Sequence, residues 1–369
     1  MMSPRDTLDL FDATIPTENA RTIPACWYHD VDFADFERAI FTRSWLAIGR
    51  SEAIPNPGDY LTADVAEMPL LIVRGTDNDL RGFFNVCRHR AARVMTDCEG
   101  NATCLRCPYH GWTYDVEGKL LGATEFANVC EFDKEDNGLT PLHLDTWRRL
   151  LFAHAGEPQT SLLDFLNPIP NRLMPLNLES LHFAERRTYA VECNWKVFID
   201  NYLDGGYHIP HVHPGLSGAM TYARYHTVMG EWSSLQIAPM DRDNVQGDSE
   251  AVANLRKGSD AFYGWVFPNF MINAYEGYMD TNLVVPVSPN RCQVVYDFYF
   301  ESGTEKDEIA ESIDIAEKIQ KEDADICASV QRGLRSGAFV SGRYSIPREE
   351  PVHHFHRLLA QSLRASIVC

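Results

Sequence analysis

Phe33, Phe36, Ile40, Phe41 and Trp45 recur at close to the 3.6-residue helical period, with Asp35, Glu37 and Arg38 between them. That pattern predicts an amphipathic helix with one buried face. Beyond Ile54 the texture changes. The apolar runs Tyr60-Leu61-Thr62, Leu70-Leu71-Ile72-Val73 and Gly82-Phe83-Phe84-Asn85-Val86 are cut by the turn clusters Asn56-Pro57-Gly58-Asp59 and Gly75-Thr76-Asp77-Asn78. Short runs bounded in this way predict a small all-β unit. It continues through Trp112-Thr113-Tyr114, a turn at Glu117-Gly118 and Lys119-Leu120-Leu121, and closes with Leu150-Leu151-Phe152-Ala153. After Gly156 the pattern is mixed. Asn194 to Tyr207 predicts a helix, and Val284-Val285-Pro286-Val287 and Gln293 to Phe300 predict strands. Glu305 to Leu334 predicts a long helix, with acids in its first turns and Arg332 near its end, the order the helix dipole favours. The resulting expectation is an α+β chain. A β domain (46–155) is inserted between an N-terminal helical part (1–45) and the larger domain (156–369) to which that part belongs.

Composition narrows the function classes. The 369 residues are 45% hydrophobic and 23% charged, ordinary for a globular protein of two or three domains. Lys plus Arg number 33 against 52 for Asp plus Glu, a formal charge of −19. Such a surface repels phosphate backbones, which argues against nucleic acid and suits a basic partner or a cationic small molecule. No apolar run reaches membrane-spanning length, and Met1 to Ala13 carries Asp6, Asp9 and Asp12 without an apolar core, so the expectation is a cytoplasmic protein without membrane attachment. Ten cysteines in such a chain point to metal ligation or free thiols rather than a disulfide framework.

The β unit contains Cys87-Arg88-His89 and, seventeen residues on, Cys107-Pro108-Tyr109-His110. Two thiolates and two imidazoles on two loops suit an iron–sulfur cluster whose potential is raised by the neutral nitrogen ligands. The order of the ligands differs from zinc fingers, where the two histidines come together at the end. Arg88, Arg90 and Arg93 would offset cluster charge, Gly111 would relieve crowding after His110, and Trp112 would shield the metal from water. Cys104-x-x-Cys107 could by itself suggest a redox dithiol, but Cys107 is already committed to His110, which leaves Cys98 and Cys104 as non-ligands.

These residues, together with Gly111-Trp112, resemble the Rieske [2Fe–2S] motif of the oxygenase (alpha) subunits of Rieske non-haem iron oxygenases. The resemblance implies an all-β Rieske domain followed by a catalytic domain of antiparallel sheet plus helices, of helix-grip type. A Rieske domain also serves pure electron carriers, so the rest of the chain has to discriminate.

Within Asn194 to Tyr207, Trp195, Phe198 and Tyr202 can bury one helical face while Asn201, Asp204 and His208 fall on another. Two adjacent glycines inside a helix cost about 1 kcal/mol each, so Gly205-Gly206 predicts a bulge or close packing. Pro210 is expected to stop the helix and leave His213 on the following turn. Two histidines and a carboxylate on one face of Fe(II) leave positions open for O₂. By resemblance His208 and His213 are the family's His-x4-His pair, and the carboxylate lies on the acidic C-terminal helix, with Asp323 preferred over Glu322 and Asp325. His208-x-x-His211 is a competing pair. The run His353-His354-Phe355-His356 could bind metal on composition, but packing and a polar face toward solvent are the preferred reading. Asp204 is implied as the electron-transfer bridge between His208 and a Rieske histidine, His110, of the neighbouring subunit. It stands four residues before His208 rather than the usual three, with Asp200 as the alternative.

The stretch Asn194 to His208 and the ending Val352 to Leu359 look especially similar to choline monooxygenase-type members, which implies a quaternary ammonium or N-methyl amine substrate of choline, betaine or carnitine type. Aromatic faces hold such cations, and Phe262, Tyr263, Trp265, Phe267, Phe270, Tyr275 and Tyr278 crowd one segment with Glu276 and Asp280 between them. Taken alone, the same residues read more readily as core aromatics, since aromatic-rich strands usually pack cores. Aromatic-ring dihydroxylation and electron carriage without oxygenation are the alternatives. The resemblance further implies O₂ as co-substrate, a homotrimer or trimer-based oligomer, and a flavin reductase, with or without a ferredoxin, that delivers electrons from NAD(P)H. The chain itself shows no Gly-x-Gly-x-x-Gly after a strand with which to bind that nucleotide.

Overall fold

The computed structural model describes residues 3–241, 245 and 247–367. The chain divides into two compact units, Phe41–Leu162, and Met1–Ile40 together with Leu163–Cys369.

The smaller unit is built of β1 (Leu46–Arg50), β2 (Asp59–Val65), β3 (Met68–Arg74), β4 (Leu80–Phe84), β5 (Glu99–Asn101), β6 (Leu105–Arg106), β7 (Thr113–Tyr114), β8 (Leu120–Gly122), β9 (Pro141–Trp147) and β10 (Leu150–His154). A seven-stranded sheet runs β1-β10-β9-β4-β3-β2-β5, and a three-stranded sheet runs β6-β7-β8. Leu70-Leu71-Ile72-Val73 is apolar without alternation because β3 lies inside the sheet and is buried on both faces. The core between the sheets joins Tyr60, Leu71, Val73, Phe83, Leu105 and Tyr114, and the same cluster contains Cys87, Cys107 and Trp112. The expected turn at Glu117-Gly118 is present. Gly118 has φ +88°, and a Cβ there would collide with the Phe83 ring.

The larger unit carries an antiparallel sheet of seven strands: β11 (Leu181–Val191), β12 (His226–Met229), β13 (Ser233–Pro239), β14 (Lys257–Val266), β15 (Phe270–Glu276), β16 (Tyr278–Ser288) and β17 (Arg291–Glu301). Their order is β11-β17-β16-β15-β14-β13-β12, with hairpins joining most neighbours. The helix Trp195–Leu203 packs on β16 and β17 and against the long helix Lys306–Arg335 and the C-terminal helix Glu350–Ile367. Asn194 caps it, its side chain accepting from the Lys196 backbone N–H. Lys196 is fully buried, and its ammonium meets Glu37 Oε1 at 2.6 Å from the helix Val31–Phe41. Each charge taken singly would be expelled from such a site, and the pairing compensates both.

Two boundaries differ from the sequence reading. The helix after Asn194 ends at Leu203 instead of Tyr207, because Gly205 and Gly206 take φ of +67° and +72°. Pro210 therefore opens a new short helix, Ile209–Val212, rather than stopping the earlier one. Phe267-Pro268-Asn269 is the turn between β14 and β15. The histidine run of the last helix is used in packing: His353 and His356 are buried, bonded to Thr17 Oγ1 and to Asp200 and Tyr344 respectively, and His354 meets the Glu231 carbonyl. No helix among the described residues is long and apolar enough to cross a membrane.

Candidate metal centres

Two loops of the smaller unit share one hydrogen-bonded form. In the first, Ala91 N donates to Cys87 O (3.0 Å) and Cys87 N to Ala92 O (2.8 Å). In the second, Gly111 N donates to Cys107 O (3.0 Å) and Cys107 N to Trp112 O (2.8 Å). Both need a positive φ at the fifth position, +59° at Ala91 and +72° at Gly111. One loop follows β4 and the other joins β6 to β7, and together they bring the His89 and His110 rings to 4.6 Å between centroids. The Trp112 indole stacks on His89 at 4.9 Å with the planes 7° apart and covers that ring.

The donor set asks for an electron-pair acceptor. His89 Nδ1 is buried and has no hydrogen-bond partner. Burial, aided by His110 and Arg90, holds the His89 pKa below its usual value, which favours the neutral imidazole that ligates metal. Both thiols are buried, and burial first, then the Cys87 thiol, raises the Cys107 pKa. Tyr114 Oη lies 3.3 Å from Cys87 Sγ, placed to donate to a thiolate. Two thiols and two imidazoles, one with an orphaned nitrogen, fit a [2Fe–2S] cluster of Rieske type. Cys98 is exposed and Cys104 half-buried, and neither belongs to this core cluster. Of the three arginines expected to face the cluster, Arg93 instead makes a double hydrogen bond to Asp64.

In the larger unit, one ligand atom each from His208, His213 and Asp323 lie within 4.8 Å of one another. His208 follows the glycine pair, His213 sits between Ile209–Val212 and the short helix Pro214–Gly218, and Asp323 comes from the long helix. Each histidine has a carboxylate on Nδ1, Asp204 Oδ2 at 2.7 Å for His208 and Glu322 Oε2 at 2.7 Å for His213. Both Nε2 atoms then face Asp323 Oδ1, at 3.8 and 3.0 Å. With the ring hydrogens on Nδ1, two lone pairs meet a carboxylate oxygen, and a cation among them turns repulsion into attraction. The electrostatics of His213 agree. Burial would lower its pKa, but Asp323 and Glu322 outweigh that and hold it above the usual value. Two imidazoles and a carboxylate fit a mononuclear Fe(II) with open positions.

The competing candidates lie elsewhere. Glu322 faces the far side of His213, and Asp325 and His211 are exposed. Asp200 is engaged by the Tyr28 hydroxyl and by His356 Nε2, so the carboxylate beside His208 is Asp204. Asp204 also accepts the Tyr207 and His208 backbone N–H groups across the glycine turn. A Cβ on Gly205 would collide with the Arg348 carbonyl, and one on Gly206 would press on the Tyr225 ring. Close packing is thus the reason for the glycine pair.

A cavity of about 90 Å³ opens beside the three ligand candidates, several times the roughly 10–15 Å³ that one water needs. Tyr202, Tyr225, Tyr263 and Tyr296 wall it with Gln236, Asn273 and Asn282. Of the seven aromatics singled out in the sequence, Tyr263 lines this cavity and the half-buried Phe262 does not. Trp265, Phe267 and Phe270 are core, and Tyr275 and Tyr278 stack on the buried Arg256, whose guanidinium lies 5.1 and 4.2 Å from their centroids. Gln236, Asn273, Asn282 and Tyr296 escaped sequence reasoning. Gln236 pairs with Tyr263, Tyr263 with Asn273, and Asn282 with Tyr296 across neighbouring strands, and only that register brings them together.

Comparison with known proteins places the chain. Residues 44–133 match the Rieske [2Fe-2S] domain, and residues 178–365 match the ring hydroxylating alpha subunit (catalytic domain). The chain is 38% identical to the chloroplastic choline monooxygenase of Arabidopsis thaliana, over 96% of this chain and 86% of that protein. It is 32% identical to the carnitine monooxygenase oxygenase subunit of Escherichia coli K12, over 93% and 94% of the two chains. The crystal structure of the quaternary ammonium Rieske monooxygenase CntA with L-carnitine superposes with a TM-score of 0.80 at 28% identity, covering 94% of this chain and 96% of the other.

Proposed function

We propose, for a chain that belongs to the family of Rieske ring-hydroxylating oxygenase alpha subunits, that it is a terminal oxygenase hydroxylating a small quaternary ammonium or N-methyl amine of choline, betaine or carnitine type. The observation that carries this reading is the cavity walled by four tyrosines directly beside His208, His213 and Asp323. Aromatic faces attract a quaternary ammonium, and its reactive carbon would then stand next to the metal candidates.

In this reading Cys87, His89, Cys107 and His110 hold the [2Fe–2S] cluster, and His208, His213 and Asp323 hold Fe(II). When bound, these groups supply one-electron transfer and the activation of O₂ at open coordination positions. The chain's own residues do the rest. Asp204 and Glu322 keep the hydrogens of His208 and His213 on Nδ1 and leave Nε2 for the metal. Asn201 Nδ2 donates to Asp323 Oδ1 at 2.7 Å and holds that carboxylate in place. Asp204, which turns its carboxylate to His208, is the bridge toward His110 of a neighbouring subunit in a trimer-based assembly. Electrons reach the protein from a reductase, which we infer to be a flavin enzyme using NAD(P)H, with or without a ferredoxin. The free state of the described cysteines supports a reducing compartment, read here as the cytoplasm.

The test is a substrate panel with purified protein and a surrogate reductase, followed by oxygen uptake and product mass. Trimethylammonium compounds should stimulate NADH oxidation and gain oxygen. Coupling restricted to arenes with cis-diol products would overturn the substrate class. Iron equal to acid-labile sulfide, with no additional iron, would reduce the protein to an electron carrier. His208→Ala should abolish turnover and leave the cluster spectrum intact.

A further inference from the structure

We propose that the cavity selects a quaternary ammonium whose tail ends in a neutral hydroxyl and discriminates against a carboxylate tail, with Tyr263 as the residue that receives the hydroxyl. The inference rests on the quaternary-ammonium reading above and narrows it.

It follows from an inventory of donors in the wall. The Tyr202 hydroxyl donates to Asn273 Oδ1 at 2.9 Å and to the Gly264 carbonyl at 3.1 Å. The Tyr225 hydroxyl donates to Gln236 Oε1 at 3.0 Å, and the Tyr296 hydroxyl to Gln320 Oε1 at 2.6 Å. Gln236 Nε2 donates to the Tyr202 carbonyl at 2.7 Å. Asn273 and Asn282 both turn Nδ2 to Asp280 Oδ1, at 2.8 and 2.7 Å. The three hydroxyls already serve acceptors of the protein, and each amide gives at least one N–H to a protein acceptor. Among the hydroxyls Tyr263 is different. Its oxygen accepts from the Tyr275 hydroxyl at 3.1 Å, which directs its own hydrogen elsewhere and leaves it for a ligand.

Charge points the same way. Among the described residues lining the cavity there is no Lys or Arg. The buried Arg256 is engaged behind the wall, stacked on Tyr275 and Tyr278 and donating to Ser312 Oγ at 2.7 Å. Asp280 stands behind the Asn273 and Asn282 amides and Asp323 stands at the cavity itself. A carboxylate entering here exchanges its hydration for few donors and meets like charge. A hydroxyl needs one partner, and Tyr263 offers it. The ammonium head finds tyrosine faces and nearby carboxylates.

Choline and glycine betaine make the test, because they share a trimethylammonium head and differ in a terminal CH₂OH against COO⁻. Ethyltrimethylammonium supplies the head without a polar tail. Kd by calorimetry on the anaerobic holoenzyme and kcat/KM with a surrogate reductase should both favour choline over glycine betaine by at least tenfold. Tyr263→Phe should bring choline to within twofold of ethyltrimethylammonium. Glycine betaine bound as well as choline would overturn the inference, as would a choline preference over ethyltrimethylammonium that survives Tyr263→Phe. In both cases the quaternary-ammonium reading stands. Failure of all three ammonium compounds to bind, with turnover of arenes, would instead defeat that reading along with this one.

Discussion

Replacing Glu322 separates holding a ligand from being one. Glu322 Oε2 lies 2.7 Å from His213 Nδ1, while His213 Nε2 faces Asp323 Oδ1 at 3.0 Å. The Glu322 carboxylate fixes the ring hydrogen and makes Nε2 more basic. Loss of such a partner typically costs about 10- to 100-fold in metal affinity, or roughly 1.4–2.8 kcal/mol. The Glu322 side chain is 28% exposed, so water screens part of its charge, and Gln still presents an oxygen to the Nδ1–H. Glu322→Gln should therefore sit near the lower end, at ~10-fold. Glu322→Ala leaves the Nδ1–H of a side chain only 1% exposed without its acceptor, and should approach ~100-fold. Asp323→Asn removes the anionic ligand and should exceed both. The assay is anaerobic Fe(II) titration of protein stripped of mononuclear iron, by competition with a chelator, with acid-labile sulfide confirming that the cluster is retained. Wild-type affinity in both Glu322 variants would refute the reasoning. So would a Glu322→Gln variant that loses iron as completely as Asp323→Asn, because the two carboxylates would then share one role.

Cys107→Ser should remove the sulfide and its accompanying iron while the mononuclear iron stays, since the two donor sets belong to separate units; loss of all iron would contradict this. Gly205→Ala places a Cβ against the Arg348 carbonyl at φ +67° and should lower thermal stability by more than ~1 kcal/mol. Gly333→Ala, in a helix with open space around it, should instead raise stability by ~0.5–1 kcal/mol, and equal melting temperatures for the two variants would defeat the packing argument. Burial, with the charges of His356 and Arg357, lowers the His353 pKa from 6.5 to about 4. The unfolded chain therefore binds a proton that the folded chain refuses between those values. This contribution to stability is complete above pH 6.5 and is lost as pH falls toward 4. Denaturant unfolding across that window should show a shallower pH slope in His353→Gln, and an unchanged slope would count against the assignment.

Local chemistry made part of this protein legible before any coordinates. Cys87, His89, Cys107 and His110 lie within two short loops whose own backbone hydrogen bonds shape them, so residue type and spacing along the chain carry nearly all the information. His208 and His213 are likewise five residues apart on one turn. The apolar period that outlined the helix after Asn194 was blind to its end. That end is decided by the approach of the Arg348 carbonyl to Gly205, 143 residues away in the chain. Helical pattern alone did not choose among Glu322, Asp323 and Asp325, and the preference for Asp323 came from the resemblance. Successive helical residues point about 100° apart, and which acid meets the histidines depends on how the long helix is rotated against them. The tyrosine and amide wall was the least legible of all. Gln236, Tyr263, Asn273, Asn282 and Tyr296 come from five strands. They share a cavity because hydrogen-bonded register aligns them, and register is a relation between distant segments that no local periodicity encodes.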